Sequence, residues 1–165
     1  MEKLTSVTIP DNVKSIGEGA FYSCGLLEEV NIGSGVTSID YNTFAGCSSL
    51  SSIVLPDSIK NIGPYAFYDC RSLTSIDIPD SVISIGTEAF KACSLTSLKI
   101  PENIKEIGMF IINDTPLYVN SDGFVYVDNC LLSRYQVYGG SDPLIGDIYI
   151  KEGTRAIASM SLQES

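Results

Sequence analysis

Four cysteines, Cys24, Cys47, Cys70 and Cys93, stand 23 residues apart. The spacing extends well beyond them. Leu4, Leu27, Leu50 and Leu73 keep it, and Leu95 continues it after a one-residue deletion. So do the columns Val7, Val30, Ile53, Ile76, Leu98 and Ile9, Ile32, Leu55, Ile78, Ile100. Two more apolar columns, Val13, Val36, Ile59, Val82, Ile104 and Ile16, Ile39, Ile62, Ile85, Ile107, precede the phenylalanines Phe21, Phe44, Phe67 and Phe90. A unit this short cannot bury an apolar face alone. Stacked at the interstrand distance of about 4.8 Å, such units form one continuous core with a single residue type per column. The period therefore restricts the chain to a solenoid.

The order of residues within one unit predicts its local structure. Leu50, Ile53 and Leu55 fit a short strand that points alternate residues inward. Pro10, Pro56, Pro79 and Pro101 end that strand, because proline has no N–H to give to a ladder. A second apolar pair follows, such as Ile59 and Ile62. Directly after it come Gly17, Gly63, Gly86 and Gly108, which predict a tight turn with permissive φ. Ala66, Phe67 and Cys70 fall at i, i+1 and i+4, the pattern of one face of a single helical turn. The expectation is a right-handed leucine-rich-repeat solenoid, β-rich with short helical turns, with about five repeats over residues 1–112.

Residues 113–147 break the period with turn punctuation, including Asn120-Ser121-Asp122-Gly123 and Gly139-Gly140-Ser141-Asp142-Pro143. Between these lie strand-like runs rich in Tyr, Val and Phe, from Leu117 to Val119, Phe124 to Val127 and Leu131 to Val137. Asp128-Asn129 suits a two-residue hairpin. This segment reads as a β-rich insertion within a single structural domain. Residues 148–165 read as the truncated start of a further repeat, so the chain is expected to be a piece of a longer solenoid.

The run Leu73-Thr74-Ser75-Ile76-Asp77-Ile78-Pro79-Asp80-Ser81-Val82, then Ile85-Gly86, Ala89-Phe90 and Cys93, resembles the BspA-type leucine-rich repeat. The likeness covers residues 1 to about 112 and resumes at Ile148-Tyr149-Ile150. That family occurs in bacterial surface proteins and some protozoan ones, often adhesins or host-binding proteins. The resemblance implies a cell-surface or secreted location; the alternative is a cytoplasmic one. It also implies a protein partner, such as a host or matrix protein.

The chemistry that the chain lacks narrows the function. With no His there is no Ser–His triad, no Cys–His pair and no His-ligated metal site. No phosphate-binding glycine loop is present, and no cofactor or metal is expected. The cysteine ladder runs along the solenoid axis and does not converge on a point, so its thiols are expected in the core. Cys130 stands outside the ladder without an evident partner. The net charge of −10, from 10 basic and 20 acidic residues, repels phosphate backbones and acidic lipids. No apolar run reaches the roughly 18 residues of a membrane span. Met1-Glu2-Lys3-Leu4 has no apolar signal-peptide core, which leaves an intracellular protein or a piece of a secreted one.

What remains is surface. In a leucine-rich solenoid the residues between inward strand positions line the concave sheet. Here they form a small polar column, Ser6, Glu29, Ser52, Ser75, Ser97, and a varied one, Thr8, Asn31, Val54, Asp77, Lys99. The candidate partner-binding residues are Glu29, Asn31, Val54, Asp77 and Lys99, together with Tyr126 and Tyr135 of the insertion, since tyrosine suits interfaces. The preferred reading is a non-catalytic protein-interaction or adhesion module. The alternatives are a structural stalk or spacer with no ligand of its own, and an enzyme with an acidic cleft.

Overall fold

The computed structural model describes residues 3–117 and, beyond them, three short strands. In residues 3–117 the repeats build two parallel sheets. The first contains β1 (Ser6–Ile9), β2 (Glu29–Ile32) and β4 (Ser52–Val54), in that order. The second contains β3 (Ser38–Ile39), β5 (Asn61–Ile62), β6 (Ser84–Ile85) and β7 (Glu106–Ile107). The registers restate the sequence period: Ser6 faces Glu29, Glu29 faces Ser52, and Ser38 faces Asn61, each 23 residues on. Ser84 faces Glu106, one residue short, so the sheet absorbs the deletion without losing register. The stretches around Ile76 and Leu98 continue the first sheet's burial pattern without strand pairing.

The columns become stacks. Phe44, Phe67 and Phe90 are fully buried. From Phe21 to Phe90 successive ring centroids lie 5.2, 5.5 and 5.5 Å apart, with planes within 11° of parallel. Leu27, Leu50, Leu73 and Leu95 are buried beside them, as are Ile39, Ile62 and Ile85.

The expected helical turn is corrected by the structure, since no helix occurs among the described residues. The segment after each glycine is instead a chain of β-turns in which alternate N–H groups have different partners. Ala66, Tyr68 and Cys70 donate within the repeat, to the carbonyls of Gly63, Tyr65 and Phe67. Tyr65, Phe67 and Asp69 donate outward, to the carbonyls of Thr87, Ala89 and Lys91 in the next repeat, at 2.8–2.9 Å. A helix would turn every N–H inward along its own axis and leave the repeats untied on this side. The alternation requires left-handed backbone twice per repeat. Tyr65 and Asp69 have φ of 57° and 60°, and Asn42, Glu88, Ala92, Phe110 and Asp114 share the conformation.

The glycine column has a different cause from the expected one. None of Gly63, Gly86 and Gly108 has positive φ. A Cβ on Gly63 would stand 2.9 Å from the Asp40 carbonyl carbon, and one on Gly86 would stand 2.6 Å from the carbonyl carbon of Gly63. On Gly108 it would meet the backbone of Thr87. Each glycine lets its backbone approach the preceding repeat, and its N–H donates to that repeat's isoleucine carbonyl at 2.7 Å. Gly17 has no described repeat before it and has nothing within 4 Å.

Beyond the solenoid, β8 (Phe124–Val127) and β9 (Cys130–Arg134) pair antiparallel, with an irregularity between Val125 and Tyr126. β10 (Ala156–Ile157) pairs parallel to β9.

Two stability measurements check this architecture. Phe67→Ala, in a closed stack, is expected to cost about 3–5 kcal/mol in urea melts. Phe21→Ala, at the half-buried end of the same stack, should cost clearly less, and equal costs would contradict the stacking. Ala92→Gly tests the backbone. In ordinary backbone this change costs about 0.5–1 kcal/mol. At φ 59° it is expected to range from neutral to about 1 kcal/mol stabilising.

Candidate interaction surface

Alternation in the first sheet decides which side chains reach solvent. Val30, Ile32, Ile53 and Leu55 point inward and are buried, so Glu29, Asn31, Ser52 and Val54 point out. Ser75, Asp77, Ser97 and Lys99 are exposed at the equivalent places of the next two repeats. The structure thus brings Glu29, Asn31, Val54, Asp77 and Lys99 onto one face. The strand register sets Asn31 beside Thr8 on one side and Val54 on the other. Asn31 Nδ2 donates to Glu29 Oε1 at 3.1 Å, which fixes two of the five. Val54 is 62% exposed, an apolar side chain left in solvent in the middle of the strip. Of the two candidates in the insertion, Tyr126 lies in β8, and Tyr135 lies outside the described residues.

The cysteine ladder takes no part in this face. Cys24, Cys47, Cys70 and Cys93 are buried free thiols. The Cys47, Cys70 and Cys93 Sγ–H groups donate to the carbonyls of Phe21, Phe44 and Phe67 in the preceding repeat, at 3.1–3.2 Å. Burial, and then the neighbouring Cys24 thiol, push the Cys47 thiol up to about 12. The hydrogen-bonded Cys93 thiol, and then burial, hold Cys70 well above the ordinary thiol value. These are neutral core groups, poor nucleophiles and poor ligands at neutral pH. Among the described residues no three His, Cys, Asp or Glu side chains gather to hold a metal, and no helix is long and apolar enough to cross a membrane.

Sequence reasoning missed a second feature, on the turn edge. Tyr22, Tyr41 and Tyr68 are exposed there, and Tyr65 lies between Tyr41 and Tyr68. The two ion pairs seen among the described residues, Arg71–Asp69 and Lys91–Glu88, flank the same edge. The signal was present in the sequence, since Tyr22 and Tyr68 directly follow the stacked Phe21 and Phe67. It was obscured because a helical reading distributes those positions around a cylinder.

Comparison with known proteins agrees with this geometry. The family model described as a BspA type leucine rich repeat region matches six copies over residues 1–117. A leucine-rich repeat protein of T. pallidum is similar in structure, with TM-score 0.65 and 34% identity over 68% of this chain and 55% of that one. One from Eubacterium ventriosum gives 0.66 and 29% identity over 72% of this chain and 32% of that one. A leucine-rich cell surface protein from Faecalibacterium prausnitzii gives 0.52 and 28% over 80% and 46% respectively. The chain thus spans between about a third and just over half of the length of these three proteins. No curated protein matches it.

The thiols yield a measurable expectation. At pH 8 a thiol reagent should modify Cys47 and Cys70 of the native protein only as fast as the solenoid unfolds. The unfolded Cys47 thiol ionises near 9.0 and the folded one near 12. Its contribution to stability is therefore complete below pH 9 and is lost as pH rises towards 12. Urea midpoints should fall across that window, and by less in Cys47→Ala. Rapid labelling at pH 8 would contradict the stacked core.

Proposed function

The chain belongs to the BspA-type leucine-rich repeat family, and on that premise we propose that it is a non-catalytic protein-interaction or adhesion module of a cell-surface or secreted protein. One observation carries the reading. Beneath the first sheet every inward column is aliphatic throughout, while the exposed column Thr8, Asn31, Val54, Asp77, Lys99 changes chemistry from repeat to repeat. Side chains here are free of the packing that fixes the core, so they vary without cost to the fold. An exposed valine flanked by amide and carboxylate groups offers a partner an apolar contact with polar groups around it. The adjoining Ser52 and Ser75 are small and let a partner backbone come close to the sheet. The resemblance to surface proteins supports a host or matrix protein as the partner.

The test begins with capture of a partner from host or matrix extracts by the whole chain. Glu29→Lys, Asp77→Lys and Lys99→Glu together should then weaken binding at least tenfold with an unchanged urea midpoint. Added salt should weaken the association only moderately, because the strip carries both signs. Binding that survives the triple change but disappears on deletion of residues 117–138 would assign the interaction to the insertion instead.

A further inference from the structure

We propose that the turn edge is a second binding site, separate from the strand face, and that it takes a neutral, extended, β-linked glycan along Tyr22, Tyr41, Tyr65 and Tyr68. The first argument is preorganisation. Tyr41 and Tyr65 meet edge to face at 5.7 Å and 76°, and Tyr65 and Tyr68 at 5.9 Å and 65°. These contacts hold the rings in place while Tyr41 stays 45% exposed and Tyr68 36%. A rigid phenol offers an apolar face to the C–H face of a pyranose and a hydroxyl to its rim, at little entropic cost.

The second argument is spacing. Tyr22, 60% exposed, follows Phe21 as Tyr68 follows Phe67. The phenylalanine rings between them step by 5.2 and 5.5 Å, so the two tyrosines stand two repeats apart, about 10 Å. Between them lies the buried Ala45, followed by Gly46. This column therefore presents a tyrosine at alternate repeats with no large side chain between them. An extended β-1,4-linked chain advances by about one strand spacing per sugar. Laid along the solenoid axis, it brings every second ring to a tyrosine of this column.

The third argument is charge. The chain carries −10 overall, and the two acidic side chains nearest Tyr68 are paired internally. Arg71 Nε holds Asp69 Oδ1 at 2.7 Å, and Lys91 Nζ holds Glu88 Oε2 at 3.0 Å. Lys91 Nζ also stands 6.0 Å from the centroid of the Tyr68 ring. A polyanion meets an acidic protein, with Glu18 exposed in the repeat next to Tyr41. An uncharged occupant avoids that repulsion, and the Asp69–Arg71 pair presents fixed polar groups to sugar hydroxyls.

The experiment is native gel electrophoresis of the whole chain in gels containing hydroxyethylcellulose, glucomannan or xylan, with carboxymethylcellulose as the charged control. At least one neutral polysaccharide should retard the protein. Tyr22→Ala with Tyr68→Ala should raise the apparent dissociation constant at least tenfold, while Asp57→Ala, exposed and outside both faces, leaves it unchanged. Circular-dichroism melts check that the variants fold, and Tyr41→Ala alone gives a second route if the double variant melts early. With no Trp in the chain, a sugar-dependent change in tyrosine emission that the double variant loses gives a second readout. Unaltered mobility in all three neutral gels overturns the proposal. So does retardation only by the carboxymethylated polymer, or retardation that the tyrosine variants leave intact. Loss of a captured protein partner in those variants, without any glycan effect, assigns the edge to a protein and overturns the glycan.

Discussion

The in-register approach of each repeat to the next governs the rest of this structure. It operates through three ladders at once: the two parallel sheets and the turn edge. On the turn edge Tyr65, Phe67 and Asp69 donate forward to the following repeat, while Gly63 donates back to Ile39. Because the backbone fixes the spacing, side chains must accept it. The phenylalanine rings show this. Their near-parallel planes at about the strand spacing are one of the two geometries that aromatic pairs favour, so ring packing and backbone spacing agree. Tyr41 and Tyr65, on the outside of the same turns, adopt the other, edge to face.

The cysteine column follows from the same constraint. Each phenylalanine carbonyl accepts the N–H of the cysteine in its own turn, as Phe44 accepts from Cys47 at 3.1 Å. The carbonyls of Phe21, Phe44 and Phe67 also receive the S–H of the next repeat's cysteine, as Phe44 receives that of Cys70 at 3.2 Å. A small apolar group that still donates one weak hydrogen bond suits the position, and thiol is that group. Sequence spacing alone placed these residues in the core, but it gave no reason for sulfur over a methyl group. The reason lies in a carbonyl of another repeat, at a residue 26 positions earlier.

Much of the fold was legible for one physical reason: columns that repeat in sequence must repeat in space when strands pair in register. Ile39, Ile62 and Ile85 appear as a column in the chain and as a stack in the second sheet. Local backbone was less legible. Ala66, Phe67 and Cys70 are compatible with a helical turn, and only the competing demand for cross-repeat N–H donation excludes one. Gly86 fits either a positive-φ turn or a close approach, and only the neighbouring repeat's backbone distinguishes them. The outward column of the first sheet was readable from period-two alternation, because burial of Val30 and Ile32 forces Glu29 and Asn31 out. The tyrosine edge was not, because its exposure depends on the turn geometry that the pattern left ambiguous.

The left-handed positions separate residues kept for the fold from residues kept for the surface. Each repeat needs φ near 60° two residues before its phenylalanine column, and Gly19 meets that need without strain. A non-glycine residue there costs roughly 1–2 kcal/mol. Asn42 reduces the cost, since its short polar side chain tolerates this backbone. Tyr65 and Phe110 do not, and in a protein of marginal stability their side chains must offset the strain in some other way. Glu88 offsets part of it through its ion pair with Lys91. Tyr65 has two aromatic contacts, to Tyr41 and Tyr68, and both partners are themselves substantially exposed. Each such pair contributes about 0.5–1.5 kcal/mol beyond the area it buries. Two of them match the strain at Tyr65, so the aromatic surface and the left-handed backbone beneath it are held by the same contacts.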